Sequence, residues 1–525
     1  MVALPYLLPY LPELTLLVAT FVVFLLDVAG EHRRTTLGGV SAFFLIVAFV
    51  EVLADLGTWP FHALSTLPAS WNGTAQGPIL FTSLGIVFQG IFLAIAALVA
   101  IASLSEAEDP DGAPTFYALL LLASLGMLLV AISGDLILLL LAVEVTGIST
   151  YVLVGYTRKD RRALEAAMKF YIIGAFSTTI SFFGASLVFG AYGTTSLLAF
   201  SQVPSDPSLA LVGFAMIAVG LGFKVTLVPF HMWAVDVYDG APAVVSAYLS
   251  AGSKKMGLFA LFAIFVGAVR VFDTAGNGYA LAIMMGGLAI ATMTVGNVLA
   301  LQQQTMKRML AYSSISQAGY MLIGLAVNTT PSLSAATLQM VANVLMKGGA
   351  FVAVAAATAI GVGPLITDWK GLGHRRPILS ASFAIMLLSM AGIPLTLGFV
   401  GKFYLFFSAI LAGGLFAILA IVGLLNSAIS VFYYARILKH IYMPEETGSP
   451  DAHGGTRSLA SSTLGSSTSP TDPKPPVAIS EFRAMGYARM GVIVACAVLL
   501  IALGIYPTPI VTALNAAAHQ FVALH

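Results

Sequence analysis

Seven ionisable side chains sit inside long apolar runs: Glu144, Lys169, Lys224, Lys254, Lys255, Lys347 and Lys402. A charge at the centre of an apolar helix costs about 2.5–3.5 kcal/mol on insertion scales, so such groups face an interior, a partner or a water-filled cavity. The chemistry that amines and a carboxylate support there is proton uptake and release. Burial disfavours an ammonium and a neighbouring carboxylate favours it. A lysine whose carboxylate neighbour moves can therefore alternate between loaded and empty.

Glu144 lies mid-run in LLLLAVEVTGISTYVLVGY. It either locks two helices together or pairs with a lysine and tunes it, and Lys224 is its natural partner. Lys224 stands in GLGFKVTLVPFHMW, shortly before Pro229 and His231. Lys254 and Lys255 are adjacent in YLSAGSKKMGLF. Neighbouring helix positions point about 100° apart, so one reads as a relay group and the other as a structural or snorkelling amine; spacing does not choose between them. Lys347 is deep in ANVLMKGGAFVAV, whereas Lys169 in AAMKFYIIGAF is near a span end, where its amine can snorkel. Lys402 follows Pro394, Gly398 and Gly401 in MAGIPLTLGFVGKFY. Proline removes a backbone hydrogen bond and clashes with the preceding turn, so Pro229 and Pro394 mark two broken helices. Such breaks are tolerated in a membrane where they line a cavity or are buried in protein. Asp135, Asp236 and Asp239 near the span ends read as caps and loop packing. Cys496 reads as core.

These groups need a scaffold that holds them in lipid. Hydrophobic residues make up 59% of the 525-residue chain, charged residues only 9%, and the mean hydropathy is +0.95. A soluble domain carries roughly 25% charged residues, so the chain is an all-α polytopic membrane protein. A net charge of +1 suggests no nucleic-acid partner. One cysteine cannot hold an iron–sulfur cluster; we assign no metal ligand and no cofactor-binding residue to this chain. The N-terminal apolar run lacks a signal-peptide layout and reads as a retained span.

Apolar runs long enough to cross a bilayer number about fourteen, from Tyr6–Leu26 to Gly491–Tyr506. Lys and Arg cluster in the loops after odd-numbered spans, as at Arg33 and Arg34, Arg158 to Arg162, Lys307 and Arg308, and Lys370 to Arg376. The positive-inside rule then puts both termini on the non-cytoplasmic side. The acidic loop Ser105–Pro114 belongs on the cytoplasmic side although it lacks that basic signal. The segment Pro444–Glu481, rich in Ser, Thr, Pro and Gly, reads as a flexible cytoplasmic linker.

AMKFYIIGAF (Ala167–Phe176) and LMKGGAF (Leu345–Phe351) share a Met-Lys pair five spans apart, and each is followed by a span with a proline break. An odd offset reverses direction, giving two inverted five-helix repeats of the kind found in transporters. The expected division is 1–112, an N-terminal three-helix segment; 113–270 and 271–443, the two repeats; 444–487, the linker; and 488–525, a C-terminal helix.

FKVTLVPFHMWAVDVYDGAP, SAGSKK, LAYSSISQAGYMLIGL and AGIPLTLGFVGKFY together resemble the antiporter-like subunits of respiratory complex I, the NADH–quinone oxidoreductase, and among them the subunit N branch. The resemblance covers about Thr115 to Tyr442. It implies a chain of buried charges that conducts protons: Glu144 on the fifth helix, Lys224 on the seventh, Lys254 rather than Lys255 on the eighth, Lys347 on the eleventh and Lys402 on the twelfth. Sister subunit M typically has Glu where Lys402 stands. The resemblance also implies a bacterial inner-membrane location. The expected partners are antiporter-like subunit M and the small subunits K and J, with NADH, FMN, iron–sulfur clusters and quinone held by other subunits. Two other readings stay open, a subunit of a multisubunit cation/proton antiporter and a non-conducting structural subunit.

Overall fold

In lipid every backbone polar group needs an internal partner, so the apolar runs fold as helices. The computed structural model describes residues 8–56, 75–106, 112–157, 160–274, 279–443 and 486–525. The linker Pro444–Glu481 and the middle of the acidic loop lie outside the described residues. Among the described residues thirteen helices are long and apolar enough to cross a membrane, and two shorter apolar helices, Pro377–Ala391 and Leu397–Ala412, supply one more crossing between them. This matches the fourteen expected crossings.

The first half runs α1 (Leu11–Val28), α2 (Arg34–Asp55), α3 (Ser83–Ser103), α4 (Ala113–Ala131), α5 (Leu136–Val154), α6 (Arg161–Tyr192), α7 (Pro207–Val225), the short α8 (Met232–Gly240) and α9 (Ala243–Phe272). The second runs α10 (Ala280–Leu301), α11 (Met306–Val327), α12 (Thr330–Ala359), α13 (Pro377–Ala391), α14 (Leu397–Ala412) and α15 (Phe416–Tyr442), followed by α16 (Tyr487–Ile505) and α17 (Thr508–Leu524). Polar side chains start several of these helices by accepting from their open N–H groups. Asp135 Oδ1 takes the amides of Ile137 and Leu138 at 2.9 and 3.2 Å, as expected of it. Asp206 does the same for α7 through Ser208 and Leu209, both at 3.0 Å.

Both expected breaks are present. After α7 the chain turns through Thr226 at φ 67°, and the helix resumes only at Met232. The carbonyls freed there are taken up locally: Gly222 O by Leu227 N at 2.8 Å, and Phe223 O by Trp233 Nε1 at 3.1 Å. After α13 the chain turns through Gly392 and Leu395, at φ 88° and 72°. Pro229 and Pro394 are exposed at the outer surface, His231 is half-buried, and Gly398 is buried in the first turn of α14 with its N–H on Ser389 Oγ at 3.2 Å.

Two π-helical segments, Leu249–Ser253 in α9 and Val344–Gly348 in α12, had no signal in the sequence. They contain no proline, and their apolar pattern reads as continuous helix. The expected single C-terminal helix is two: α17 follows α16 across Pro507 and packs on α3 and α12. A search for long apolar runs passes over α17, which is short and mixed in polarity. A two-stranded hairpin, β1 (Ala75–Gln76) with β2 (Ile79–Leu80), precedes α3.

The most enclosed of the crossing helices is α11, where 94% of the residues of an 18-residue stretch are buried, and α9 follows at 89%. Close approach of α10 and α11 depends on Gly296 and Gly319. A Cβ on either would lie 2.5 Å from a backbone nitrogen of the other helix.

Candidate proton path

All five deep lysines point inward. Relative exposure is 5% for Lys224, 1% for Lys254, 0% for Lys255 and Lys347, and 3% for Lys402. Among the described residues none of the five has a carboxylate within ion-pair distance. Uncompensated charge in a low-dielectric interior is costly, and like charges there repel one another strongly.

Lys224 occupies the last turn of α7, where the helix dipole favours a cation. Its Nζ has no hydrogen-bond partner among the described residues and lies 5.5 Å from the Tyr151 ring and 5.8 Å from that of Phe170, distances at which ring faces stabilise a cation. The expected Glu144–Lys224 pair is not a direct one. The Glu144 carboxylate, half-buried on α5, accepts instead from Thr178 Oγ1 on α6. Both residues line one cavity of about 20 Å³, together with Ser177, Ser181 and Tyr151. That is space for one water.

Lys254 Nζ donates to Ser314 Oγ at 3.0 Å and Ser314 O at 3.2 Å, and lies 5.5 Å from the Tyr238 ring. Between Lys224 and Lys254 stands an aromatic wall in which Phe170 stacks on Trp233 at 4.3 Å and Trp233 meets Tyr238 edge-on at 6.2 Å. His231, in the α7–α8 break, is within electrostatic reach of Lys254. Lys255 is not a snorkelling amine. Helix α9 is enclosed on all sides, so a side chain turned 100° from Lys254 still points into protein. Its Nζ donates to Ser250 O at 2.5 Å and to Asn343 Oδ1 on α12.

Lys347 lies within the π segment of α12 and donates to Leu310 O at 3.0 Å and to Ser313 Oγ. Ser313 Oγ also meets Tyr434 OH at 2.8 Å. The Tyr434 ring lies 4.4 Å from that of Tyr433, whose hydroxyl donates to Asn297 Oδ1 at 3.0 Å; Asn297 Nδ2 donates to Tyr320 OH at 3.0 Å. Lys402 Nζ is 4.9 Å from the Tyr320 ring. It caps the end of α13 by donating to Met390 O at 2.8 Å and Ala391 O at 3.3 Å, and reaches Ser427 Oγ at 3.0 Å. A cation on open C-terminal carbonyls is favoured by the helix dipole. Gln317 Nε2 shares the Met390 carbonyl at 3.3 Å.

Helix α11 therefore serves three of the lysines, through Ser314, Ser313 and the Gln317–Tyr320 turn. Sequence reasoning assigned these residues no role. The signal was the polar cluster YSSISQ in a span that otherwise reads as apolar.

The surface groups sort differently from expectation. Asp236 and Asp239 lie within α8 and are not caps: Asp236 pairs with Lys169 and Arg308, both at 3.3 Å, and Asp239 with Arg308 at 3.7 Å. Lys169, 45% exposed, also pairs with Glu165 at 2.8 Å, which fits the snorkelling reading. The aligned Met-Lys pairs thus end in opposite settings, one wet and one fully buried. Lys169, Asp236 and Arg308 line a cavity of about 1100 Å³ with Arg34, Glu106 and Tyr156. Arg34 pairs with Glu106 at 3.0 Å, which places the start of the acidic loop on the same face as the basic loops. Burial pushes the Glu106 carboxyl above its ordinary range, and Arg34 pulls it back.

Comparison with known proteins places the chain in a family and a fold. The family described as "NADH:quinone oxidoreductase/Mrp antiporter, TM" matches residues 133–430. F(420)H(2) dehydrogenase subunit N of Methanosarcina mazei is 39% identical over 83% of this chain and 89% of its own. NADH-quinone oxidoreductase subunit N 2 of Sorangium cellulosum is 36% identical over 83% of this chain and 88% of its own. Among solved structures, a chain of respiratory complex I from Thermus thermophilus is 28% identical with a TM-score of 0.73, covering 96% of this chain and 99% of its own. A chain of the Mrp complex from Dietzia shares the fold, with a TM-score of 0.76 at 21% identity over 99% of this chain and 98% of its own. The chain belongs to the NADH:quinone oxidoreductase/Mrp antiporter transmembrane family.

Proposed function

We propose that this chain is the proton-translocating membrane subunit of an NADH–quinone oxidoreductase, and that Glu144, Lys224, Lys254, Lys347 and Lys402 form its relay. The observation that carries the reading is the set of enclosed amines, three of them (Lys254, Lys347 and Lys402) held by hydroxyls and carbonyls, with no carboxylate in ion-pair distance among the described residues. A passive scaffold has no need of such costly groups, and an amine without a fixed counter-charge can both accept and give up a proton. Protons enter from the face that carries the basic loops, taken as cytoplasmic by the positive-inside rule, and leave on the other. The large cavity beside Asp236 and Arg308 is the natural collecting mouth. Glu144 sets the charge of Lys224 through the small shared cavity, and the polar residues of α11 connect Lys254, Lys347 and Lys402. Each proton moved against 100 mV takes about 2.3 kcal/mol. Electron transfer in partner subunits that hold NADH, FMN, iron–sulfur clusters and quinone supplies it.

In this reading the chain lies in a bacterial inner membrane with both termini outside the cytoplasm. Its neighbours are subunits of the M, K and J types, and the repeats divide near residue 270. The test is NADH-driven proton uptake by inverted membrane vesicles carrying Lys224→Ala, with the amount of intact complex measured in the same membranes. Uptake and quinone-linked NADH oxidation should fall together. Wild-type rates of both in intact complex would sink the relay. Wild-type membranes that do not oxidise NADH would overturn the electron donor alone.

A further inference from the structure

Lys255 has no part in the relay drawn above, yet it is as deeply enclosed as any residue that does. It is the second residue of the α-helical stretch that resumes at Lys254 after the π segment Leu249–Ser253, and one of its acceptors, Ser250 O, belongs to that segment. Its other acceptor, Asn343 Oδ1, immediately precedes the second π segment, Val344–Gly348, which carries Lys347. The two π segments pack directly on each other: a Cβ on Gly348 would lie 3.7 Å from that of Ala251. Asn343 Nδ2 is buried with no hydrogen-bond partner among the described residues, so this junction keeps an open polar site.

We propose that Lys255 is a further proton-carrying residue, which couples Lys254 in the first half of the chain to Lys347 in the second across the contact of the two π segments. This rests on the reading that the buried amines carry protons. As an ammonium, Lys255 makes charge-assisted bonds to Ser250 and Asn343 that tie α9 to α12. The charged groups in its electrostatic reach are Lys254 on its own helix and Lys347 on α12. Like charges in a low-dielectric interior repel strongly. A proton arriving on Lys254 therefore drives the one on Lys255 onward. The N–H bond at Lys255 Nζ breaks, the proton ends on the neutral amine of Lys347, and no electron moves.

The experiment compares Lys255→Gln, Lys255→Arg and Lys224→Ala in inverted vesicles, each normalised to intact complex. Glutamine keeps a donor for Ser250 and Asn343 but takes no proton, and arginine keeps the charge but does not release it. The expected result is a loss of proton uptake and coupled NADH oxidation of about a hundredfold or more in both Lys255 variants, the general size of a missing proton-transfer group. A merely structural tie would tolerate one of the two, so near-wild-type rates in either variant overturn the proposal. If Lys224→Ala is also unaffected, the relay itself has failed; if only Lys224→Ala is impaired, the role of Lys255 alone has failed. Should the Lys255 variants not assemble, Asn343→Asp decides. A carboxylate beside Lys255 should move the pH profile of coupled oxidation by at least about one unit, and an unmoved profile rejects the coupling role.

Discussion

Ser314→Ala removes the hydroxyl on which Lys254 rests and leaves the Ser314 carbonyl, 3.2 Å away, as its remaining acceptor. A hydrogen bond to a charged group is worth roughly 1.5–3 kcal/mol, and about 1.36 kcal/mol corresponds to one pH unit of proton affinity. The ammonium loses this support, so Lys254 should let its proton go about one to two pH units earlier as pH rises. If loaded Lys254 is required for turnover, the alkaline limb of the coupled rate should move down by that amount while the acid limb stays. The assay is the pH dependence of quinone-linked NADH oxidation and proton uptake in inverted vesicles. Ser408→Ala is the control: it removes a buried hydroxyl that bonds only Leu405 O, at 2.8 Å, and touches no lysine. An alkaline limb within about 0.3 unit of wild type in intact Ser314→Ala complex, on the scale that the lost bond sets, would refute the reasoning that this hydroxyl holds a working proton site.

Gly319→Ala places a methyl 2.5 Å from the Met293 nitrogen, so α10 must move; the expected cost is about 1–3 kcal/mol, read as a lower thermal midpoint of the detergent-solubilised complex. Arg34→Met leaves Glu106 without its guanidinium and should destabilise by up to about 3–5 kcal/mol, with the double variant Arg34→Met/Glu106→Gln recovering part of the loss. Because burial holds the Glu106 carboxyl above its ordinary range, its contribution to stability is complete below that range and is lost as pH rises through the elevated value. Glu106→Gln should flatten this fall in thermal midpoints measured across the same pH window.

The membrane solvent made the scaffold legible. Runs of apolar residues have one fold available in lipid, so the crossings and both breaks could be read from Pro229, Pro394 and the neighbouring glycines. The buried lysines were legible for the same reason, since a misplaced charge in an apolar run stands out. What stayed hidden depended on packing. Of the two roles left to the second lysine of the pair, snorkelling is closed to Lys255 because α9 has no outward face, which is a property of its neighbours rather than its sequence. Glu144 and Lys224 share a cavity rather than a bond because Thr178, on a third helix, takes the carboxylate. Asp236 and Asp239 resemble caps by position, but their ion-pair partners come from Lys169 and Arg308, distant in the chain. The role of α11 was hidden because serine and glutamine are common in membrane helix contacts, and only their proximity to three amines distinguishes them.

The central claim is that these amines carry protons, and Lys402 offers the most direct test because two of its three acceptors, the Met390 and Ala391 carbonyls, are main-chain atoms that a substitution leaves in place. Lys402→Met keeps the bulk and removes the proton site. Proton uptake per NADH oxidised should be measured in inverted vesicles holding wild-type amounts of intact complex. The account predicts that uptake and coupled oxidation fall together by at least about a hundredfold, the scale of a lost proton-transfer group. Wild-type uptake at a wild-type rate would contradict it and leave the buried lysines as structure alone.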